Sequence, residues 1–124
     1  MKRLSVVLNG KGIVNMGIYN ELDLSIQEYV KHLQDNYDKT ASGQFIEFTY
    51  EIGRKYVHVI MQHFHHYDKA PTQRTSHSWV MINDDKKFKQ GDVLKSASWK
   101  APARNFARAN VLMNDYSNIR WCGV

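Results

Sequence analysis

Lys100, Arg104 and Arg108 recur every four residues in the C-terminal third of the chain, and Trp99 stands beside the first of them. On a helix that spacing lays the three cations along one row. Ser96, Ser98 and Asn105 add hydrogen-bonding groups. Lys86, Lys87, Lys89 and Lys95 precede them, and Asp92 is the one acid between positions 86 and 108. Cations on a ridge, interleaved with an aromatic and small polar groups, suit a phosphate backbone. Lys and Arg displace its counterions, and an exposed Trp stacks on a base. The competing reading is a solubilising helix face with Trp99 packed into the core.

Histidine is the other residue type in excess, with six in the chain. His63, His65 and His66 lie close together, between His58 and His77. Along a strand, His63 and His65 face the same way and are near enough to share one metal ion. No Cys or carboxylate stands at a helpful spacing, and neither His-Glu-x-x-His nor Cys-x-x-Cys occurs, so no physiological metal or other cofactor is expected. Catalysis finds as little support. There is no Gly-x-Ser-x-Gly, and Asn9–Gly12 is too short for a phosphate-cradling loop. A small enzyme would need His77 paired with an Asp, or His58 with an acid or a nucleophile. Cys122 reads as an ordinary thiol, and Asp84 and Asp85 as turn residues.

These residues sit in a chain of 124, which is one ordinary domain and too short for a two-domain enzyme or a barrel of eight βα units. A single Cys excludes a disulfide scaffold within the monomer and a zinc finger built on cysteines. The net charge of +5 is uneven, with −1 over residues 1–50 and +6 over residues 51–124. Lys2-Arg3 followed by Leu4–Leu8 imitates the start of a secretory signal, but the apolar run stops at Asn9. No stretch approaches a membrane span. A cytoplasmic protein without membrane attachment is expected.

The elements that must position the basic residues follow from periodicity. Leu4–Leu8 and Ile13–Tyr19, with Asn9-Gly10 between them, predict a first hairpin. Leu22, Ile26, Tyr29, Val30, Leu33 and Tyr37 predict a helix at about 23–37. Alternation predicts strands at 45–52, 55–64 and 77–82, and a short strand at 92–96. Asp68–Thr75 reads as a loop. Pro102, suited to a first helical turn, with Ala103, Phe106, Ala107 and Val111 behind it, predicts a second helix at 102–114. A strand or tail at 118–123 ends the pattern. The expected fold is α+β, a single domain with one antiparallel sheet of four to six strands and two helices packed on it. The order helix, three strands, helix also matches a double-stranded-RNA-binding domain. Edge strands in so small a sheet suit a homodimer.

Ser76–Ile82, Gly91–Arg104 and Ala107–Val111, with Gly53–Tyr56 upstream as the entry to a strand, form a block that resembles small tailed-bacteriophage proteins. Their pattern has a Ser-x-His strand, a Gly-Asp-Val-x-Lys-x-Ala-Ser-Trp-Lys-x-Pro-Ala segment and an Ala-Arg-Gly-Asn helix. The resemblance covers about residues 53–124. Ala109 departs from it where Gly is expected, and 62–75 looks like an insertion. The resemblance implies a phage origin and a compact α+β core, and it names no substrate.

The expected function is therefore that of a small, non-catalytic phage accessory protein acting in the host cytoplasm. It binds nucleic acid or another polyanion through Lys86, Lys87, Lys89, Lys95, Trp99, Lys100, Arg104 and Arg108. The alternative is an effector that docks the same patch on an acidic host protein. The state of Trp99 separates a working surface from a merely charged one: exposed among cations it can stack or anchor a partner, and buried it cannot.

Overall fold

A computed structural model of the protein describes residues 17–37, 45–64 and 70–124. The chain runs through helix α1 (Gly17–Asn36) and strands β1 (Phe45–Ile52), β2 (Tyr56–Phe64), β3 (Gln73–Met81), β4 (Asp92–Lys95) and β5 (Ala109–Asn110). A 3₁₀ turn at Val111–Met113 follows. The five strands form one antiparallel meander in the order β1-β2-β3-β4-β5.

Helix α1 forms because Leu22, Ile26, Tyr29 and Leu33 recur at steps of three and four and are all buried against one face of the sheet. They meet Ile46 and Phe48 of β1, Val57, Val59 and Met61 of β2, and Val80 of β3. Val111, Ile119, Tyr116 and Trp121 close the same layer from the C-terminal segment. The opposite face carries a second cluster of Trp79, Met81, Phe88 and Leu94, with Tyr56 and Ala107 against it. This two-sided burial explains why β2 and β3 are apolar at successive positions.

The two-helix α+β expectation is corrected, since the described residues hold one α-helix and the fold is mostly β. The predicted helix at 102–114 is instead irregular, extended chain as far as Asn110, followed by the 3₁₀ turn at Val111–Met113. Ser96 pairs with Pro102, Val93 with Ala109 and Asp92 with Asn110, so β4 and the segment 101–110 form an irregular hairpin. From Val93 to Ser96 is three steps, whereas from Pro102 to Ala109 is seven, and the surplus on the return limb bulges outward. Ala109 and Val111 are buried at strand-like alternation, and Phe106, which a helix would have turned inward, is 57% exposed. Without a second helix the likeness to a double-stranded-RNA-binding domain also falls. Gln73–Thr75, read as loop, begins β3, and the end of the chain makes only an isolated bridge between Arg120 and Gly123. Leu4–Leu8 and the Asn9-Gly10 turn lie outside the described residues. Gly17–Tyr19, read as the end of a strand, belongs to α1.

Two details fix the frame. Gly91 enters β4 at φ +88°, where a Cβ would stand 2.9 Å from Asn110 Oδ1, so only glycine closes the base of the hairpin without strain. At the edge of β1 that has no strand partner among the described residues, the Gln34 carboxamide donates to Ile46 O (2.9 Å) and accepts from Phe48 N–H (2.8 Å), standing where a neighbouring strand's peptide would. Gln34→Ala is expected to lower stability by about 1–2 kcal/mol. It should also promote association through the uncovered edge, read by urea denaturation and by light scattering against concentration.

Candidate nucleic-acid interface

The hairpin tip carries the candidate site. Ala97 and Ser98 both donate their N–H to Ala101 O (3.1 Å each), which folds residues 98–101 into a turn beyond β4 and places Trp99 and Lys100 on it. Trp99 is 42% exposed. Its indole stands edge-on to His58, with centroids 4.8 Å apart, and the Arg74 guanidinium lies over its ring at 5.4 Å. Arg74 is itself held by Glu51 at 2.8 Å, and the His58 ring lies flat on Trp79 at 3.8 Å. The tip is thus seated on a stack running from β3 through β2 to Trp99.

Hydroxyls tie that stack to β4. The Ser96 hydroxyl is 2.6 Å from Ser76 Oγ and 2.8 Å from Ser98 O, and it accepts from Trp79 Nε1 at 3.3 Å. Ser76 Oγ is 2.7 Å from His58 Nε2. Burial holds the His58 imidazole down to about 4, so it is neutral at physiological pH. His58 and Ser76 stand at the distance of a base and a hydroxyl nucleophile. Among the described residues, however, no carboxylate is hydrogen-bonded to His58 to orient it.

The other predicted cations divide by what they touch. Arg104 Nη2 is 2.6 Å from Asp85 Oδ2, its Nη1 donates to Tyr56 Oη at 2.7 Å, and its guanidinium covers Phe88 at 4.8 Å. Lys87 Nζ donates to Arg104 O at 2.7 Å. Arg104 and Lys87 therefore clamp the return limb of the hairpin onto the turn after β3. Arg108 packs its guanidinium 4.0 Å over Phe106, and its Nε is buried without a partner. Lys86, Lys89, Lys95 and Lys100 are exposed, the first two beyond one end of β4 and the last two at the other. The row Lys100–Arg104–Arg108 does not exist as a helical ridge. The structure adds Arg74, which had no charged neighbour in the sequence to mark it.

Asp85 is the hub of the clamp. Backbone N–H groups of Phe88 and Lys87, followed by the Arg104 guanidinium, hold its carboxyl well below the usual carboxylate range. A carboxylate depressed in the folded state stabilises the fold fully above its unfolded value of about 3.9 and loses that contribution as pH falls further. Asp85→Asn is therefore expected to lower the denaturation midpoint at pH 7 and to flatten its decline below about pH 4. Urea titrations of both proteins across that range measure it.

His77 lies in the opposite layer. Its Nε2 must donate to Arg120 O at 2.8 Å, because a carbonyl only accepts. Burial lowers its proton affinity, so the ring is neutral and Nδ1 accepts from Ser78 Oγ at 2.9 Å. Ser78 Oγ in turn accepts from Tyr29 Oη at 2.7 Å, whose phenol burial pushes well above its ordinary range. This chain joins α1, β3 and the C-terminal turn, and no Asp takes part in it. His63 Nε2 is 3.0 Å from Thr75 Oγ1, and His65 lies outside the described residues. Among the described residues no group of three or more His, Cys, Asp or Glu could hold a metal ion, and no helix is long and apolar enough to cross a membrane.

The profile of a family of unknown function, DUF7717, matches residues 15–123. The chain belongs to DUF7717. The match takes in α1, the whole sheet, the hairpin with Trp99 and nearly all of the C-terminal turn. No curated protein and no solved structure matches the chain.

Proposed function

We propose that this member of DUF7717 binds single-stranded nucleic acid through the hairpin tip and its surrounding cations, without catalysis. The observation that carries the reading is Trp99, exposed on a turn beside Lys100 and backed by Arg74 and His58 rather than sunk in the core. A base stacks on the indole, and Lys100 beside it meets a phosphate. Lys86, Lys89, Lys95 and Arg108 supply longer-range attraction, and Lys87 and Arg104 hold the platform in shape. Contacts of this kind imply no reading of base identity. Single strands are favoured because a duplex hides its base faces, and the extended 101–110 limb offers no recognition helix for a major groove. On this reading the protein is a phage accessory protein at work in the host cytoplasm, and the run Gly91–Ala103 supports that origin through its resemblance to tailed-phage proteins.

A second reading rests on a different observation. Phe106, Leu112 and Met113 are exposed in the same C-terminal segment as Trp99. Exposed aromatic and aliphatic side chains of this kind can anchor a protein interface, here with an acidic host protein. Fluorescence anisotropy with labelled oligothymidylate, the matching duplex and RNA separates the two. Nucleic-acid binding gives a negative slope of log K against log salt between roughly 50 and 200 mM, about −0.7 for each phosphate neutralised on a single strand. Absence of binding at the lower salt overturns the first reading and leaves the second.

A further inference from the structure

β4 ends at Lys95, opposite Ser78, so the Gln73–His77 half of β3 has no ladder partner on that side among the described residues. A cleft of about 560 Å³ opens there, between the half-strand, the end of β4 and the C-terminal turn. Lys95 and Arg120 line it together with Asn118, Thr75, Ser76 and Ser96. No Asp or Glu side chain does. Among the described residues neither Lys95 nor Arg120 takes part in an ion pair, whereas Arg74 and Arg104 both do.

The turn that carries Arg120 is fixed through its main chain. Arg120 N–H donates to Gly123 O at 2.9 Å, and Arg120 O accepts from Gly123 N–H at 3.1 Å and from His77 Nε2 at 2.8 Å. Trp121 is edge-on to Tyr37 at 5.0 Å, and Tyr116 lies on Tyr29 at 5.7 Å. Arg120 is exposed and lines the cleft, and its guanidinium takes no part in the bonds that hold the turn.

We propose that this cleft binds a phosphomonoester. Two cations match a dianion better than a single carboxylate, with Arg120 as a planar fork and Lys95 as a point charge. Asn118 and the Thr75 hydroxyl stand beside them for the remaining oxygens. The volume exceeds that of a phosphate alone and lies in the range of small-molecule pockets, from about 300 Å³ upward, so a sugar or nucleoside enters with the phosphate. The inference stands on the cleft and not on Trp99, since Arg120 and Asn118 have no part in the stacking surface.

The test is a titration of the full chain with adenosine 5′-monophosphate, ribose 5-phosphate and adenosine, followed by nitrogen-15 NMR and by calorimetry. Both phosphates are expected to bind and to move the signals of Lys95, Asn118 and Arg120, and adenosine is expected to do neither. Arg120→Gln keeps every main-chain bond of the turn, so it should fold and melt as the wild type does. Loss of one charged donor pair should weaken nucleotide binding about tenfold or more, while leaving oligothymidylate binding unchanged. Trp99→Ala should do the reverse. Equal nucleotide affinity in Arg120→Gln and wild type, or adenosine binding as well as its monophosphate, overturns the proposal.

Discussion

Replacing His77 by alanine is expected to destabilise the protein by on the order of 3 kcal/mol, and to release the C-terminal turn before the sheet opens. Three losses combine. The imidazole packs between Tyr29 and Phe48, at 6.4 and 5.8 Å between centroids, so its removal leaves a cavity in the α1-facing layer. Arg120 O loses the His77 donor at 2.8 Å. The buried Ser78 and Tyr29 hydroxyls, 2.7 Å apart, lose the imidazole acceptor for one of their two protons. Amide hydrogen exchange should accelerate over residues 116–124 while β2 and β3 stay protected. Tyr29→Phe, which removes only the first donor of the chain, should cost about 1 kcal/mol. A His77→Ala protein as stable as the Tyr29→Phe protein would show that the chain does not tie the turn to the sheet.

Trp99→Ala is expected to weaken binding of single-stranded oligothymidylate by about 10- to 100-fold, the worth of one base stacked on an aromatic ring. Fold stability should barely change, because the indole is 42% exposed and its neighbours His58 and Trp79 remain stacked on each other. Trp99→Phe should recover much of the affinity. Lys100→Glu should weaken binding and reduce the salt slope as well, whereas Trp99→Ala should lower affinity at unchanged slope, since it removes no phosphate contact. Charge reversal at Arg104 is a poor test of binding. It breaks the bonds to Asp85 and Tyr56 and removes the cover from Phe88, so any loss of affinity would report the damaged clamp.

The contrast between Arg104 and Trp99 shows which parts of the site were legible in the sequence. The core stripe of α1 was readable because Leu22, Ile26, Tyr29 and Leu33 carry the helical period, and β1 and β2 were readable from the alternation over 45–52 and 55–64. The 102–114 segment misled because Pro102, Ala103, Ala107 and Val111 match the helical period. The burial of Ala109 and Val111 and the exposure of Phe106 follow the pairing with β4 instead. Tertiary pairing overrode a helical pattern of mostly small residues, which bury too little surface to enforce it. His77 sits in an irregularity of the β2–β3 register, where Val59 faces Ser78 and Ile60 faces Ser76. No local composition announces such a bulge. Arg74 and Arg120 gave no signal because each is isolated in the sequence, and both gain their setting only when β3 and the C-terminal turn are brought beside the hairpin.

The indole N–H signals of the protein's three tryptophans, Trp79, Trp99 and Trp121, decide whether Trp99 is the stacking platform. Each is assigned by a single Trp→Phe substitution and followed while oligothymidylate is added at low salt. Trp79 Nε1 is bonded to Ser96, and Trp121 packs against Tyr37 in the other layer, so both serve as internal controls. The Trp99 signal is expected to shift to saturation with the oligonucleotide and to return when salt is raised, while Trp121 stays in place. A Trp99 signal unmoved at saturating oligonucleotide would contradict it.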